Sequence, residues 1–248
     1  LLDGMLSPGF VNAHCHIELS HMKGVIPQHT GLVEFVQQVL AKRETPANKS
    51  LSGEAYEQFL YYKLAAMKLA TDELFESGTV AIGDICNTGD SISIKQNSPI
   101  YWHNFIEVSG FADAVAEKRL KGGEDLLLSF NHGYRPFGNT LAPHASYSVS
   151  KKLFEIINNK TSRQLISIHN QETAAENELY QSGNSAFLGL YKNLGINTEL
   201  FSVTGKTSMQ SWLPYFTNAQ KIISVHNTFT SQDDFSFSNS PNLYFCIC

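Results

Sequence analysis

The chain has 248 residues, of which 42% are hydrophobic, so it can bury one large core, and α/β barrels of this length commonly form a single domain. A net charge of -5 without any basic run excludes nucleic acid as an expected partner. No stretch approaches the ~20 consecutive apolar residues of a membrane span, and the 4 cysteines, without a second pair at zinc-finger spacing, favour a reduced, cytoplasmic setting.

The first predicted strand, FVNAHCH, carries titratable side chains at its end, where the sequence reads NAHCHIELSH. In an extended strand, side chains two apart share a face, so His14 and His16 project side by side while Cys15 faces the other way. Two imidazoles aimed into one small volume suit a divalent metal. Because such pairs also arise by chance, the rest of the chain has to support a metal site.

Helical patterns and apolar strands alternate along the rest of the chain. Helices are predicted over GLVEFVQQVLAKR, from about Gly53 to Ser77, and in later crossovers such as SVSKKLFEIINNK. Further strands are predicted at 79–86, 100–108, 140–148, 165–170, 221–227 and 242–248. This repeated order favours a parallel sheet covered on both faces, either a (β/α)₈ barrel or a doubly wound open sheet.

The placement of histidines favours the barrel. The carboxyl ends of four predicted strands carry His14, His16, His144, His169 and His226. In a barrel those ends converge on one mouth, whereas an open sheet spreads them along a line. No G-x-G-x-x-G follows a strand, and TGKTS lacks the first glycine of a phosphate loop. We therefore predict a (β/α)₈ TIM-type barrel.

A carboxylate accompanies the third strand-end histidine. His169 ends LISIHN, and Glu172 follows three residues later. By itself, Glu172 with Glu176 and Glu178 is typical of solvated charges at a helix N-terminus. Beside an H-x-H pair in the same barrel, a third imidazole and a carboxylate supply what a hydrolytic metal site needs, namely ligands and a base for water.

Four segments, in order, carry a family resemblance: PGFVNAHCH, APHASYSVS, IHNQETAAE and SVHNTFT. They resemble motifs of the amidohydrolase superfamily, in its aminohydrolase (deaminase) branch. HCHIELS followed later by HNTF is most similar to the aminofutalosine deaminase-like group. The resemblance spans nearly the whole chain.

The resemblance implies a role for each matching residue. It implies that the metal ligands are His14, His16 and His169. Glu172 is implied as the proton shuttle, His226 as the residue that orients the attacking water, and His144 as a contact to substrate or leaving group. Glu18, in the loop after the H-x-H pair, is expected either to contact substrate or to lie at the surface. Asp84 is expected to hydrogen-bond a ligand histidine.

The chain departs from the family pattern near its end. The family's fourth ligand is an aspartate ending the eighth strand, and no residue up to Cys248 can be assigned to it, because Asp233 and Asp234 are expected to form a solvated helix start. We therefore expect residues 1–248 to be one barrel domain that is incomplete at its C-terminus and lacks the family's flanking β-domain. The fourth predicted strand lacks the bridging lysine of binuclear members, so a single metal ion is favoured.

These expectations define a function. The predicted activity is a metal-dependent deamination of an aminated purine or related heterocycle, in which water attacks the amine-bearing carbon and ammonia leaves. The predicted cofactor is one divalent ion, zinc first and iron second. The substrate is a small molecule, and a homodimer is compatible with the family. The alternatives are another C–N or C–Cl hydrolase of the same branch, acting on a triazine or amide, and an inactive barrel that serves as a binding module.

Overall fold

Seven strands alternate with helices along the chain in the computed structural model, which describes residues 4, 6–43, 53–133, 137–199, 201–238 and 242–248. The strands are β1 Phe10–Cys15, β2 Thr79–Cys86, β3 Tyr101–Val108, β4 Gly138–Pro143, β5 Leu165–Asn170, β6 Lys221–His226 and β7 Leu243–Cys246. The helices are α1 Leu32–Lys42, α2 Glu54–Glu76, α3 Ile92–Gln96, α4 Ala116–Asn131, α5 Lys151–Lys160, α6 Ala174–Gln181, α7 Phe187–Asn193, α8 Ser208–Trp212 and α9 Gln232–Phe237. Short 3₁₀ turns over Ile17–Met22 and Ser146–Ser148 follow β1 and β4.

Strands that follow one another in the chain are also neighbours in space. One parallel sheet has the order β1-β2-β3-β4 and a second has the order β5-β6-β7. The two sheets meet where the His169 amide donates to the His144 carbonyl at 2.9 Å and the Thr140 hydroxyl donates to the Leu165 carbonyl at 2.8 Å. This consecutive parallel order confirms the predicted TIM-type barrel, of which the described residues supply seven strands.

Apolar residues fill the fold in two layers. A small cluster inside the barrel joins five successive strands through Ile85, Phe105, Ala142, Leu165 and Ile223. A larger cluster lies between the strands and the helices outside them and includes Ile106, Leu141, Leu153, Ile157, Ile168 and Trp212. The barrel interior is therefore packed below the carboxyl ends of the strands, the end at which enzymes of this fold carry their active sites.

The start of helix α9 corrects one expectation. Ser231 and Asp234 form a capping box, in which each side chain accepts from the other residue's backbone N–H. The carboxylate of Asp234 is not solvated: the residue is buried and also accepts from the Thr207 hydroxyl and from Gln171 Nε2. The expectation of a helix start is confirmed, but the expectation of solvated charge is wrong for Asp234, because α8 and the loop after β5 pack over it.

None of the helices in the described ranges is both long and apolar enough to cross a membrane.

The larger cluster, between the strands and the helices, should contribute most to the free energy of unfolding. Leu153 of α5 is fully buried in the larger cluster, so Leu153→Ala is expected to lower the free energy of unfolding by about 2–5 kcal/mol through lost burial and a residual cavity. Leu128 of α4 is 52% exposed, so Leu128→Ala is the matched control and should change the free energy by no more than about 0.5 kcal/mol. Urea unfolding followed by circular dichroism measures both, and equal effects would contradict the assigned packing.

Candidate active site

Five histidines from four strand ends meet at the mouth of the barrel. The ring centre of His14 lies 4.9 Å from that of His16, 4.8 Å from that of His169 and 5.6 Å from that of His226. The ring of His144 lies 5.1 Å from that of His169. The structure thus brings together all five histidines that the sequence places at strand ends.

Three of these rings offer a set of metal ligands. In His14, His16 and His169, one ring nitrogen of each lies within 4.8 Å of the others. His16 Nε2 and His169 Nε2 are 3.1 Å apart, and His169 Nδ1 is 2.9 Å from the His144 carbonyl. If His169 donates its Nδ1–H to that carbonyl, as metal-binding histidines commonly do to backbone partners, its Nε2 lone pair faces His16.

The donor set fits a divalent cation. His14 Nδ1 is buried and has no hydrogen-bond partner among the described residues. Buried polar atoms normally have partners, so an orphaned imidazole nitrogen beside two other imidazoles indicates that something else occupies this place. Three imidazole nitrogens are a donor set that zinc accepts in catalytic sites.

Two further groups of potential ligands overlap the first. They are Glu107, His144 and His169 on one side, and His14, His226 and Cys248 on the other. Sequence reasoning missed Glu107, whose Oε2 lies 3.8 Å from His169 Nδ1. The signal was present in the alternation of β3, because Phe105 points into the barrel and a residue two positions later shares its face.

Burial favours the neutral form of the three histidines that could hold a metal ion. Desolvation, followed by the neighbouring His16 and His226, lowers the pKa of His14 to about 3. Desolvation is also the largest cause that lowers the pKa of His16 and of His169. Neutral imidazoles carry the free lone pair that metal binding requires, so no proton has to be displaced at neutral pH.

This neutrality predicts an unusually flat pH dependence of metal binding. Three imidazoles with an ordinary pKa of ~6.5 would lose about 50-fold in apparent affinity between pH 7.5 and pH 6.0, since protons compete with the metal. Burial lowers the pKa of His14 to about 3 and shifts the pKa values of His16 and His169 in the same direction, so protons compete less with the metal than they do at ordinary imidazoles. Zinc titration with a competing chelator is expected to give nearly the same dissociation constant at both pH values, and a 50-fold weakening would contradict it.

Glu172 lies beside the histidine cluster at the opening of the barrel. Its Oε2 is 3.5 Å from His226 Nε2, and its side chain is 31% exposed. Burial raises the pKa of Glu172 to about 7, so the carboxyl group can both accept and release a proton near neutral pH. Burial also lowers the pKa of His226, which favours its neutral form.

Three non-glycine residues at the ends of β5 and β6 have a left-handed backbone. Gln171 after β5 has φ 48°, and His226 and Asn227 at the end of β6 have φ 72° and 60°. Such left-handed conformations cost about 1–3 kcal/mol each and persist only where surrounding contacts hold them. Here Glu176 accepts from the backbone N–H groups of Gln171 and Glu172 at 2.9 and 2.7 Å.

The contacts of Glu176 correct a second expectation. Glu176 is fully buried, whereas the sequence suggests a solvated charge; Glu178 is exposed, as expected. Because the Glu176 carboxylate binds the backbone on both sides of the strained turn, it holds Glu172 at the mouth of the barrel. Burial raises the pKa of Glu176 to about 7.

Two other carboxylates bind protein groups rather than facing the histidines. Glu18 is 1% exposed, pairs with Arg43, and accepts from the Asn87 and Thr88 backbone N–H groups. A substrate would have to displace Arg43 to reach Glu18, and a substrate contact there stays a prediction. The expectation for Asp84 is wrong, since its carboxylate binds Lys95 and the Ile17 backbone N–H instead of a ligand histidine.

His144 is oriented by the turn that follows β4. Its Nδ1 lies 2.6 Å from the Ser148 hydroxyl, and its ring packs edge-on against Tyr147 at 5.5 Å. These contacts set the ring orientation and leave Nε2 for another partner.

No protein-family model matches the chain. Across 99% of its length it is 26% identical to an aminodeoxyfutalosine deaminase of a Nitratiruptor species, of which it covers 57%. Its fold matches the Helicobacter pylori aminofutalosine deaminase solved with methylthio-coformycin (TM-score 0.75, 22% identity, 97% of this chain and 56% of that one). It also matches an adenosine deaminase of Xanthomonas campestris with bound zinc (TM-score 0.63, 18% identity, 97% of this chain and 49% of that one).

The chain therefore spans about half the length of the proteins it matches. These similarities confirm the resemblance to the deaminase branch of the amidohydrolase superfamily and confirm the barrel fold.

Proposed function

We propose that this chain, whose sequence and fold resemble those of the amidohydrolase deaminases, carries the metal-holding barrel of an enzyme that deaminates an aminated purine. The reaction exchanges the ring C–NH₂ for a carbonyl, consumes one water and releases ammonia. The observation that carries the proposal is the meeting of His14, His16 and His169 beside Glu172 and His226. The similar proteins are named as deaminases, one of them of adenosine, and these names support the class of substrate.

We propose one divalent ion, zinc in the first place and iron in the second, held by His14, His16 and His169. Imidazole accepts both metals, and one of the similar structures contains zinc. When bound, such an ion would lower the pKa of water strongly, towards ~7, and so supply a nucleophile at neutral pH. The rest of the chemistry comes from the chain's own side chains.

Three residues beside the metal ligands handle the proton, the water and the substrate. Glu172 takes the water proton on its carboxylate and passes it to a ring nitrogen of the purine, which makes the amine-bearing carbon more electrophilic. His226 Nε2, 3.5 Å from Glu172 Oε2, orients the attacking water by a hydrogen bond. His144, turned by Ser148, contacts the substrate or the departing ammonia through Nε2.

Domain organisation, partners and cellular compartment are also part of the proposal. Residues 1–248 act as one barrel domain, the substrate is a small molecule, and a net charge of -5 does not favour nucleic acid as a partner. The proposed compartment is the cytoplasm.

Metal analysis and an ammonia-release screen test this function. The purified protein is loaded with zinc and offered 5'-deoxyadenosine, adenosine, aminodeoxyfutalosine, guanine and cytosine. We expect metal bound to the histidine cluster and ammonia released from an adenine derivative. Release from a triazine or an amide alone would assign a different hydrolase of this branch, and a metal-free protein silent on every compound would make the barrel a binding module.

A further inference from the structure

The chain leaves the sheet after Cys15, directly before its second ligand histidine, His16. The β1–β2 pairing shifts register between Asn12 and Cys15, and its last pair joins Cys15 to Asp84. His16 itself has φ -127° and ψ 69°, outside both strand and helix. The regular ladder therefore does not hold the backbone at His16, and another interaction has to set the direction of its ring.

Asp84 of β2 supplies that interaction. Its Oδ1 accepts the Ile17 backbone N–H at 2.8 Å, and its Oδ2 binds Lys95 Nζ at 2.5 Å. Both Asp84 and Lys95 are fully buried. One carboxylate thus joins a buried ammonium group to the backbone amide that immediately follows His16.

Lys95 is held in turn by the neighbouring strands. Its ammonium group donates to Asn104 Oδ1 at 2.7 Å and lies 3.1 Å from Cys86 Sγ, and it faces the rings of Trp102 and Phe130 at 5.1 Å each. Asn104 Nδ2 donates to Asn139 Oδ1 of β4 at 2.7 Å. The ammonium group is therefore fixed relative to β2, β3 and β4 before it meets Asp84.

We propose that Asp84, held in place by the buried Lys95, is a positioning residue whose acceptor oxygen holds the Ile17 amide, and through it the His16 ring, in the geometry that binds the metal ion. This inference rests on the proposed metal-binding function. A buried ion pair is weak evidence for stability, because desolvation offsets the attraction between the charges. The bond from Asp84 to the Ile17 amide, directly after His16, indicates a positioning role instead of a stabilising one. Groups that orient metal ligands commonly affect metal affinity.

Paired substitutions separate positioning from charge burial. Asp84→Asn with Lys95→Met removes both charges but keeps an oxygen that can accept the Ile17 N–H. Asp84→Leu with Lys95→Met removes the charges and the acceptor. A matched control is Lys63→Met with Asp90→Leu, which removes another ion pair of a buried lysine that makes no bond to Ile17.

Two measurements are made on each intact protein: zinc affinity against a competing chelator, and hydrogen exchange of the Ile17 amide in the metal-free state. We expect the leucine double variant to lose about 10–100-fold in zinc affinity and to exchange the Ile17 amide rapidly. The asparagine double variant and the control should keep the wild-type affinity and a protected amide.

The two proposals fail in different ways. If the wild-type protein binds no zinc, the proposed function fails, and the Ile17 exchange alone then decides the positioning role. If the leucine double variant matches the wild type in both measurements, or if both double variants at Asp84 lose equally, the positioning role is wrong.

Discussion

Replacing Glu172 by glutamine is expected to lower kcat for deamination by about 10²–10⁴-fold while the bound metal is retained. Glutamine keeps the size of the side chain and a hydrogen-bonding oxygen but cannot take a proton from water. Burial raises the pKa of Glu172 to about 7. The native carboxyl group can therefore both accept and donate a proton at neutral pH at little cost in free energy. Steady-state ammonia release and metal content per chain measure the two quantities separately.

Glu178→Gln is the matched control, because Glu178 is exposed on the helix that follows Glu172. Its kcat should equal that of the wild type. Equal losses in both variants, or loss of metal from the Glu172 variant, would show that Glu172 is not the proton shuttle.

The raised pKa also sets the direction of the pH profile. Below pH 7, Glu172 is increasingly protonated and can no longer accept the water proton, so kcat/KM should fall about tenfold per pH unit on the acid side. Above that value the carboxylate form dominates and this limb levels off. The fall of kcat/KM below pH 7 should be absent from the residual activity of Glu172→Gln. If the fall persists in that variant, a group other than Glu172 is titrating.

Replacing His169 by asparagine is expected to weaken zinc binding by more than about 100-fold. Removing a group that only orients a metal ligand already lowers metal affinity by about 10–100-fold, and His169 is itself a proposed ligand. The asparagine amide can still donate to the His144 carbonyl, which His169 Nδ1 contacts at 2.9 Å, but the Nε2 facing His16 is removed. Deamination should fall in proportion to the metal lost. Isothermal titration with zinc and metal analysis after gel filtration measure the loss.

His132→Asn provides the control for this substitution. His132 is exposed just after α4, away from the strand ends, and its replacement should leave zinc affinity and activity unchanged. If the His169 variant binds zinc as tightly as the wild type, the zinc ligands would instead be the overlapping group of His14, His226 and Cys248.

Much of the fold follows from short-range patterns. The predicted strands at 79–86 and 165–170 coincide with β2 and β5. The prediction at 140–148 is wrong in its second half, because β4 ends at Pro143 and Ser146–Ser148 form a 3₁₀ turn, whereas the other strand boundaries agree within two residues. The reason is that β-branched and apolar runs bounded by turns leave few alternatives when both faces of a strand are buried. The position of a histidine at a strand end also survives small errors in the strand boundary, so the gathering of the five histidines was predictable.

Contacts between distant segments were not predictable in the same way. The sequence presents Glu176 and Asp234 as helix-start charges, and their burial depends on which turns pack over them. Asp84 was expected to face a ligand histidine, but its side chain points to the outer side of the sheet, where Lys95 of α3 reaches it. Glu107 was overlooked because a single glutamate in a strand has no distinguishing spacing, although the alternation from Phe105 places it inside the barrel.

The amino-acid sequence by itself determined the order of the β and α units and which strand ends carry imidazoles, because side-chain periodicity and strand propensity act within a few residues. Only the tertiary structure decided which ring nitrogens approach within 3.1 Å, which carboxylate stays beside His226, and which carboxylates turn away to hold the backbone. Those outcomes depend on how the parallel strands gather their carboxyl ends around one mouth. This arrangement brings residues more than 150 positions apart into contact and buries them together, so that desolvation shifts their pKa values.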